Sequence, residues 1–127
     1  MPLICDLHHA SLIVADIARS LEFYRDLLDL AVDERRPDLG YPGAWLQVGS
    51  HQIHLLERPN PDPVDGRPAH GGRDRHVSLT VAGLAPLLAR LTAAGVPFTT
   101  SRSGRRALFC RDPDGNALEF IDMYASL

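Results

Sequence analysis

Four side chains with metal-binding or acid–base chemistry stand at recurring positions in this chain. Shifted by 67 residues, His9-Ala-Ser-Leu-Ile-Val-Ala-Asp16 falls on His76-Val-Ser-Leu-Thr-Val-Ala-Gly83. Seven of the thirteen positions from His9 to Leu21 are identical in the second copy, among them His9/His76, Ser11/Ser78 and Val14/Val81. The ends of the two halves also match, Gln52-Ile53-His54-Leu55-Leu56 falling on Ala117-Leu118-Glu119-Phe120-Ile121. His54 and Glu119 therefore occupy one repeat position, and His9 and His76 another. Three imidazole nitrogens and one carboxylate suit a borderline divalent ion (Zn, Ni, Co, Mn or Fe(II)) and are too nitrogen-rich for calcium. A histidine on the polar face of a strand is by default only solvent-facing. Recurrence of ligand-type residues at two repeat positions sets this group apart from that default. His9, His76 and Glu119 form the heart of the set. His54 is either a fourth ligand, a donor behind the ligands, or a plain strand polar group.

The other polar and aromatic candidates read differently. His8 follows the alternation to the opposite side of its strand and is expected to be structural. His51 falls at a turn, and His70 lies in a loop, where solvation competes with a lid role over the site. Cys110 reads as a small core residue in a late strand. Tyr41 and Trp45 read as pocket wall or core packing. Arg102, Arg105 and Arg106 gather near a turn, as a solvated hairpin tip or an anchor for an anionic substrate.

These residues need elements to position them. Residues 7–15 and 75–82 alternate as strands, with Ala10/Leu12/Val14 and Val77/Leu79/Val81 on one face and the histidines on the other. Asp16 is placed to cap a helix whose stripe is Ile17, Leu21, Tyr24 and Leu28. Pro86 suits the first turn of a second helix, with Leu84, Leu87, Leu88 and Leu91 as its apolar face and Gly95 after its end. Strand-like stretches follow each helix, at about 30–35, 43–49 and 51–56, then at about 97–101, 105–111 and 117–123. Gly49-Ser50, Ser103-Gly104 and Asp112-Pro113-Asp114-Gly115 supply the turns. Each half is thus βαβββ: module 1 spans about 5–57 and module 2 about 75–125. The Pro- and Gly-rich stretch 58–74 reads as a linker or lid rather than a packed element. The fold class is α+β, and residues 1–127 are read as a single domain built from the two modules.

Composition narrows the function. The chain has 127 residues and a formal net charge of -3, which gives no support to nucleic-acid or polybasic membrane binding. All 13 basic residues are arginine, so Schiff-base catalysis by lysine and a lysine-dependent phosphate loop are excluded. Cys5 and Cys110 are too few for a disulfide scaffold. No apolar run approaches the roughly 20 residues that span a bilayer, and the start lacks the features of a signal peptide. A cytoplasmic location and no membrane partner are the expectation.

The motifs together resemble the vicinal oxygen chelate superfamily, the glyoxalase/bleomycin-resistance/dioxygenase group. The resemblance rests on His8-His9-Ala-Ser-Leu-Ile-Val-Ala-Asp16 followed by Ser20-Leu-Glu-Phe-Tyr-Arg-Asp26. It rests equally on Arg75-His76-Val-Ser-Leu-Thr-Val81 and Asp112-Pro-Asp-Gly-Asn-Ala-Leu-Glu-Phe120. It implies paired βαβββ modules that form a curled mixed sheet around a metal cleft, with a divalent ion held by His9, His76 and Glu119. The remaining ligand position, commonly Glu or Gln in glyoxalase I-like members, is His54 here. The resemblance further implies a homodimer and a small-molecule substrate chelated through adjacent oxygens. Glu119, the one carboxylate of the set, would then act as ligand and base. A glyoxalase-type lyase or isomerase is the first reading. An extradiol-type dioxygenase, a fosfomycin-modifying transferase and a metal-free sequestering protein of the bleomycin-binding kind are the alternatives.

Overall fold

The computed structural model describes residues 1–124, which divide between two compact units, one of residues 1–60 and one that begins at Pro61. The end expected for the second module, near residue 125, lies outside the described residues. No helix among the described residues is long and apolar enough to cross a membrane.

The first unit contains β1 (His9–Val14), α1 (Ile17–Leu21), β2 (Ala31–Val32), β3 (Gly43–Val48) and β4 (His51–Glu57). Its sheet runs β1-β4-β3-β2, with β1 and β4 parallel and the remaining pairs antiparallel. Strand alternation sends Val14, Ala44, Leu46, Ile53 and Leu55 into the core with Phe23 and Tyr24, all buried. The opposite face then carries His9, Gln52, His54, Trp45 and Gln47. Asp16 caps α1 as expected, its carboxylate accepting from the Arg19 N–H at 3.2 Å.

Two local expectations change. The stripe of one long α-helix is replaced by a short α-helix that widens into a π-helical segment, Glu22–Leu27. The Leu28 N–H reaches back five residues to the Phe23 carbonyl at 2.9 Å. The wider turn brings the adjacent Phe23 and Tyr24 rings into the core together, edge to face at 5.0 Å. The strand expected over 30–35 shrinks to two residues because the Asp33 carboxylate accepts the Arg35 N–H at 3.0 Å and turns the chain out of the sheet.

The second unit repeats the plan with β5 (His76–Val81), α2 (Leu84–Ala93), β6 (Phe98–Thr100), β7 (Ala107–Arg111) and β8 (Ala117–Asp122). The order is β5-β8-β7-β6, again parallel between the first pair and antiparallel elsewhere. Leu87 and Leu91 of α2 are buried with Leu108, Cys110, Leu118 and Phe120. The Asp112 carboxylate shapes the β7–β8 turn by accepting the N–H groups of Asp114 and Asn116, each at 2.9 Å. Two four-stranded mixed sheets that do not close, with few helices, make this an α+β fold, as the sequence predicts.

The stretch 58–74 is not purely linker. A single 3-10 turn, Gly71–Arg73, lies on the second sheet. A Cβ on Gly71 would stand 3.3 Å from the Ala117 Cβ and 3.4 Å from the Phe109 Cβ, so the absence of a side chain lets the backbone settle there. Arg111 holds the segment by donating to the Pro68 carbonyl at 2.6 Å and to Asp74 at 2.8 Å. Glycines that read as flexibility in the sequence serve here as a close-packing surface.

Candidate functional site

Each unit brings together one pair of the four candidate ligands. Neither unit by itself gathers three His, Cys, Asp or Glu side chains around one metal-holding point, among the described residues.

In the second unit, register sets Ser78 opposite Glu119 and His76 opposite Ala117, so all of these side chains share a face. The Glu119 carboxylate is buried, 4% exposed, and its Oε1 accepts from Ser78 Oγ at 2.7 Å. His76 Nε2 stands 3.6 Å from the same oxygen. His76 Nδ1–H donates to the Asp74 carbonyl at 2.9 Å, an acceptor that cannot give a proton back. In the neutral ring that bond puts the lone pair on Nε2, the nitrogen facing Glu119, the arrangement that outer partners impose on metal-binding histidines. Adjacent ligands on an ion with bonds of about 2.1 Å lie roughly 3.0–3.4 Å apart, close to the separation seen. Phe109 walls this pair, its ring 5.2 Å from His76 and edge to face.

The Asp74 side chain steadies the loop that carries this carbonyl. Burial pushes its carboxyl up, but hydrogen bonds from Arg111 and Arg67 outweigh that and hold it at about 2. His70 Nδ1 lies 2.7 Å from Thr99 Oγ1 and its ring packs on Phe109 at 4.8 Å, so this loop histidine is tied down rather than solvated. Cys110 is buried, and that burial, with the nearby Asp112 charge, pushes its thiol up to about 12.

In the first unit, His54 lies between two rings. It stacks on His9 at 3.9 Å and on Trp45 at 4.7 Å, nearly parallel to both. Trp45 is thus a wall of the site rather than core. His54 Nε2–H donates to Gln52 Oε1 at 2.8 Å. The orientation of Gln52 is set in turn, since its amide nitrogen donates to Asp33 Oδ2 at 2.9 Å and to Gln47 Oε1 at 3.0 Å. Gln47 is anchored by donating to the Gly49 and His51 carbonyls. The network therefore assigns the His54 proton to Nε2 and its lone pair to Nδ1. Burial, followed by the neighbouring His9, His8 and Arg36, lowers the His54 pKa and favours this neutral form. His9 Nδ1 lies 2.8 Å from His8 Nδ1, so His8 touches the site through its neighbour instead of standing apart. His51 lies against Asp6 at 3.3 Å, at the turn.

The first unit offers two imidazoles and the second an imidazole beside a buried carboxylate, donor types that suit a divalent ion. The turn arginines are engaged locally: Arg105 donates to Ser103 Oγ at 3.2 Å, and Arg106 faces Asp122 at 3.4 Å. Sequence reasoning missed Gln52, Ser78, Asp74 and Phe109. Signals for two of them existed: Ser78 recurs as Ser11, and Gln52 stands two residues from His54 on the same strand face.

Known proteins resemble the chain along nearly all its length. The family model for the Glyoxalase/Bleomycin resistance protein/Dioxygenase superfamily matches residues 6–120. The protein named Glyoxylase I 4 from Arabidopsis thaliana is 27% identical over 121 residues, covering 91% of this chain and 70% of that protein. The uncharacterized protein YwkD of Bacillus subtilis (strain 168) is 30% identical, covering 94% of this chain and 98% of that one. Among solved structures, a mutant of the fosfomycin resistance protein FosX from Listeria monocytogenes, complexed with Mn(II) and 1S,2S-dihydroxypropylphosphonic acid, superposes with a TM-score of 0.72. It is 18% identical, with 94% of this chain and 93% of that one covered, a likeness of fold.

Proposed function

Because the chain belongs to the Glyoxalase/Bleomycin resistance protein/Dioxygenase superfamily, we propose that it is a metal-dependent enzyme of the glyoxalase type. It would act as a lyase or isomerase on a small substrate chelated through adjacent oxygens. The proposed ligands are His76 and Glu119 from the second half and His9 and His54 from the first, with residues 1–127 working as one domain and a homodimer as the working assembly. Zn, Ni, Co, Mn and Fe(II) all suit this donor set.

One observation carries the reading. Glu119 is a buried carboxylate whose contacts are a serine hydroxyl and the His76 imidazole, with no arginine in ion-pair contact among the described residues. A carboxylate buried without a strong cationic partner is costly, and a bound divalent ion would offset that cost. When bound, the ion would polarise two neighbouring substrate oxygens and stabilise negative charge on them. The chain's own residues would do the rest. Ser78 holds Oε1 of Glu119, and Oε2 would take a proton from the carbon beside a chelated oxygen and return it to the next. The Asp74 carbonyl holds the His76 proton on Nδ1, so Nε2 is the nitrogen that would ligate, and Gln52 holds the His54 proton on Nε2, so Nδ1 would. The stacked His9 and Trp45 rings keep His54 from turning away.

Metal analysis of the purified protein, with His9→Ala and Glu119→Gln as controls, tests this. About one divalent ion per chain in the wild type and a large loss in both variants are expected. Absence of metal would remove every enzyme reading and leave the sequestering one. With metal present, a hemithioacetal isomerisation assay set beside oxygen uptake with a catechol separates lyase from dioxygenase.

A further inference from the structure

Two arginines near the first sheet, Arg36 and Arg58, have no acidic partner among the described residues. Register sets Trp45 opposite His54 and Gly43 opposite Leu56, two residues further along. Arg36 lies over Gly43. A Cβ there would stand 2.6 Å from Arg36 Nη2 and 2.6 Å from the Leu55 carbonyl oxygen, so the guanidinium and the neighbouring strand both press against the bare glycine. Arg36 Nη2 donates to the Tyr41 carbonyl at 3.0 Å, and its Cζ is 5.3 Å from the Tyr41 ring centre. Arg58, just beyond β4, has its Cζ 5.5 Å from the same ring.

Six other arginines do meet carboxylates. Arg25 pairs with Asp26, Arg35 with Asp33, Arg67 and Arg111 with Asp74, Arg75 with Asp62, and Arg106 with Asp122. Arg36 and Arg58 have no carboxylate in ion-pair contact among the described residues. Both guanidiniums lie within 5.5 Å of one tyrosine ring centre, and planar guanidinium forks match oxyanions in geometry.

We propose that Arg36 and Arg58, over Tyr41, bind an oxyanion, and that the substrate therefore carries a carboxylate or phosphate-type group. This rests on the metal-site reading above and names the substrate class for it. One two-residue step along the strand separates the row of His54 from that of Gly43, about 7 Å. The anionic group would therefore lie on the strand row next to that of His54.

The test titrates metal-free protein with inorganic phosphate in one arm and malonate in the other. The readouts are the fluorescence of Trp45, the chain's one tryptophan, and the arginine side-chain amide resonances. Saturable binding of at least one anion is expected, weakened tenfold or more in Arg58→Met and Arg36→Met and unchanged in Arg105→Met. The arm that binds more tightly tells phosphate-type from carboxylate recognition. Arg58 is exposed, so Arg58→Met decides the matter even if Arg36→Met is unstable. No saturable binding of either anion, or equal binding in wild type and Arg58→Met, overturns the proposal. If the anion binds as expected while wild type takes up no metal, the metal reading falls and the anion site stands.

Discussion

His54 and His76 have their protons assigned to different ring nitrogens. His76 gives its Nδ1 proton to a backbone carbonyl, whereas His54 gives its Nε2 proton to Gln52. Nitrogen-15 NMR of the metal-free protein at pH 8 should therefore show the Nδ1–H form for His76 and the Nε2–H form for His54. Gln52→Leu should shift the His54 population towards a mixture and leave His76 unchanged; an unaltered His54 spectrum would show that the network does not hold the ring. Thiol chemistry provides a second prediction at this scale. Cys5 is exposed, while Cys110 is buried with its thiol pushed up to about 12. Iodoacetamide at pH 8 should label one cysteine per native chain and two in denaturant. Rapid native labelling of Cys110 would mean that β7 opens far more readily than its burial implies.

At the scale of elements, the packed part of the loop before β5 decides how firmly His76 is held. Gly71 lies against Ala117 and Phe109 with no room for a larger side chain. Gly71→Val should cost about 1–3 kcal/mol in denaturant unfolding, the usual range for overpacking, and should weaken metal uptake by displacing the Asp74 carbonyl. Asp74 ties the same segment to Arg67 and Arg111, and its folded pKa, about 2, is below the ordinary 3.8. For a carboxyl depressed in this way, the linked stability is present above pH 4 and is lost as the pH falls from about 4 to about 2. Asp74→Asn should therefore lower stability at pH 6 and flatten the acid limb between pH 4 and 2. An acid limb as steep as the wild type's would remove Asp74 from the account. α1 belongs to this scale too. The turn that widens after Leu21 puts Phe23 and Tyr24 side by side in the core, which a regular 3.6-residue period does not do.

For the molecule as a whole, the proposed metal is also a stability term. A ligand that binds only the folded state adds about 2.7 kcal/mol at a free concentration a hundred times its Kd. Zn or Mn should raise the melting temperature of wild type and a chelator should reverse the gain, with neither effect in Glu119→Gln. Equal shifts in that variant would mean that the metal binds elsewhere.

The architecture was readable in advance because duplication repeats a pattern. Alternation in 7–15 and 75–82 set which face of each strand met the core, and matched ends aligned His54 with Glu119. Turn residues such as Asp112 act within a few residues of themselves, so their roles follow from local chemistry. What the sequence could not contain were the contacts that depend on which distant atoms meet. The Gln52–Asp33 bond that orients His54 links residues 19 apart, and the Ser78–Glu119 bond links residues 41 apart. Arg36 against Gly43, and Gly71 on the second sheet, likewise needed the folded backbone to be seen. Periodicity is a property of the chain and survives as text. Hydrogen-bond direction and the space left by a missing side chain exist only once register and loops have brought remote residues together.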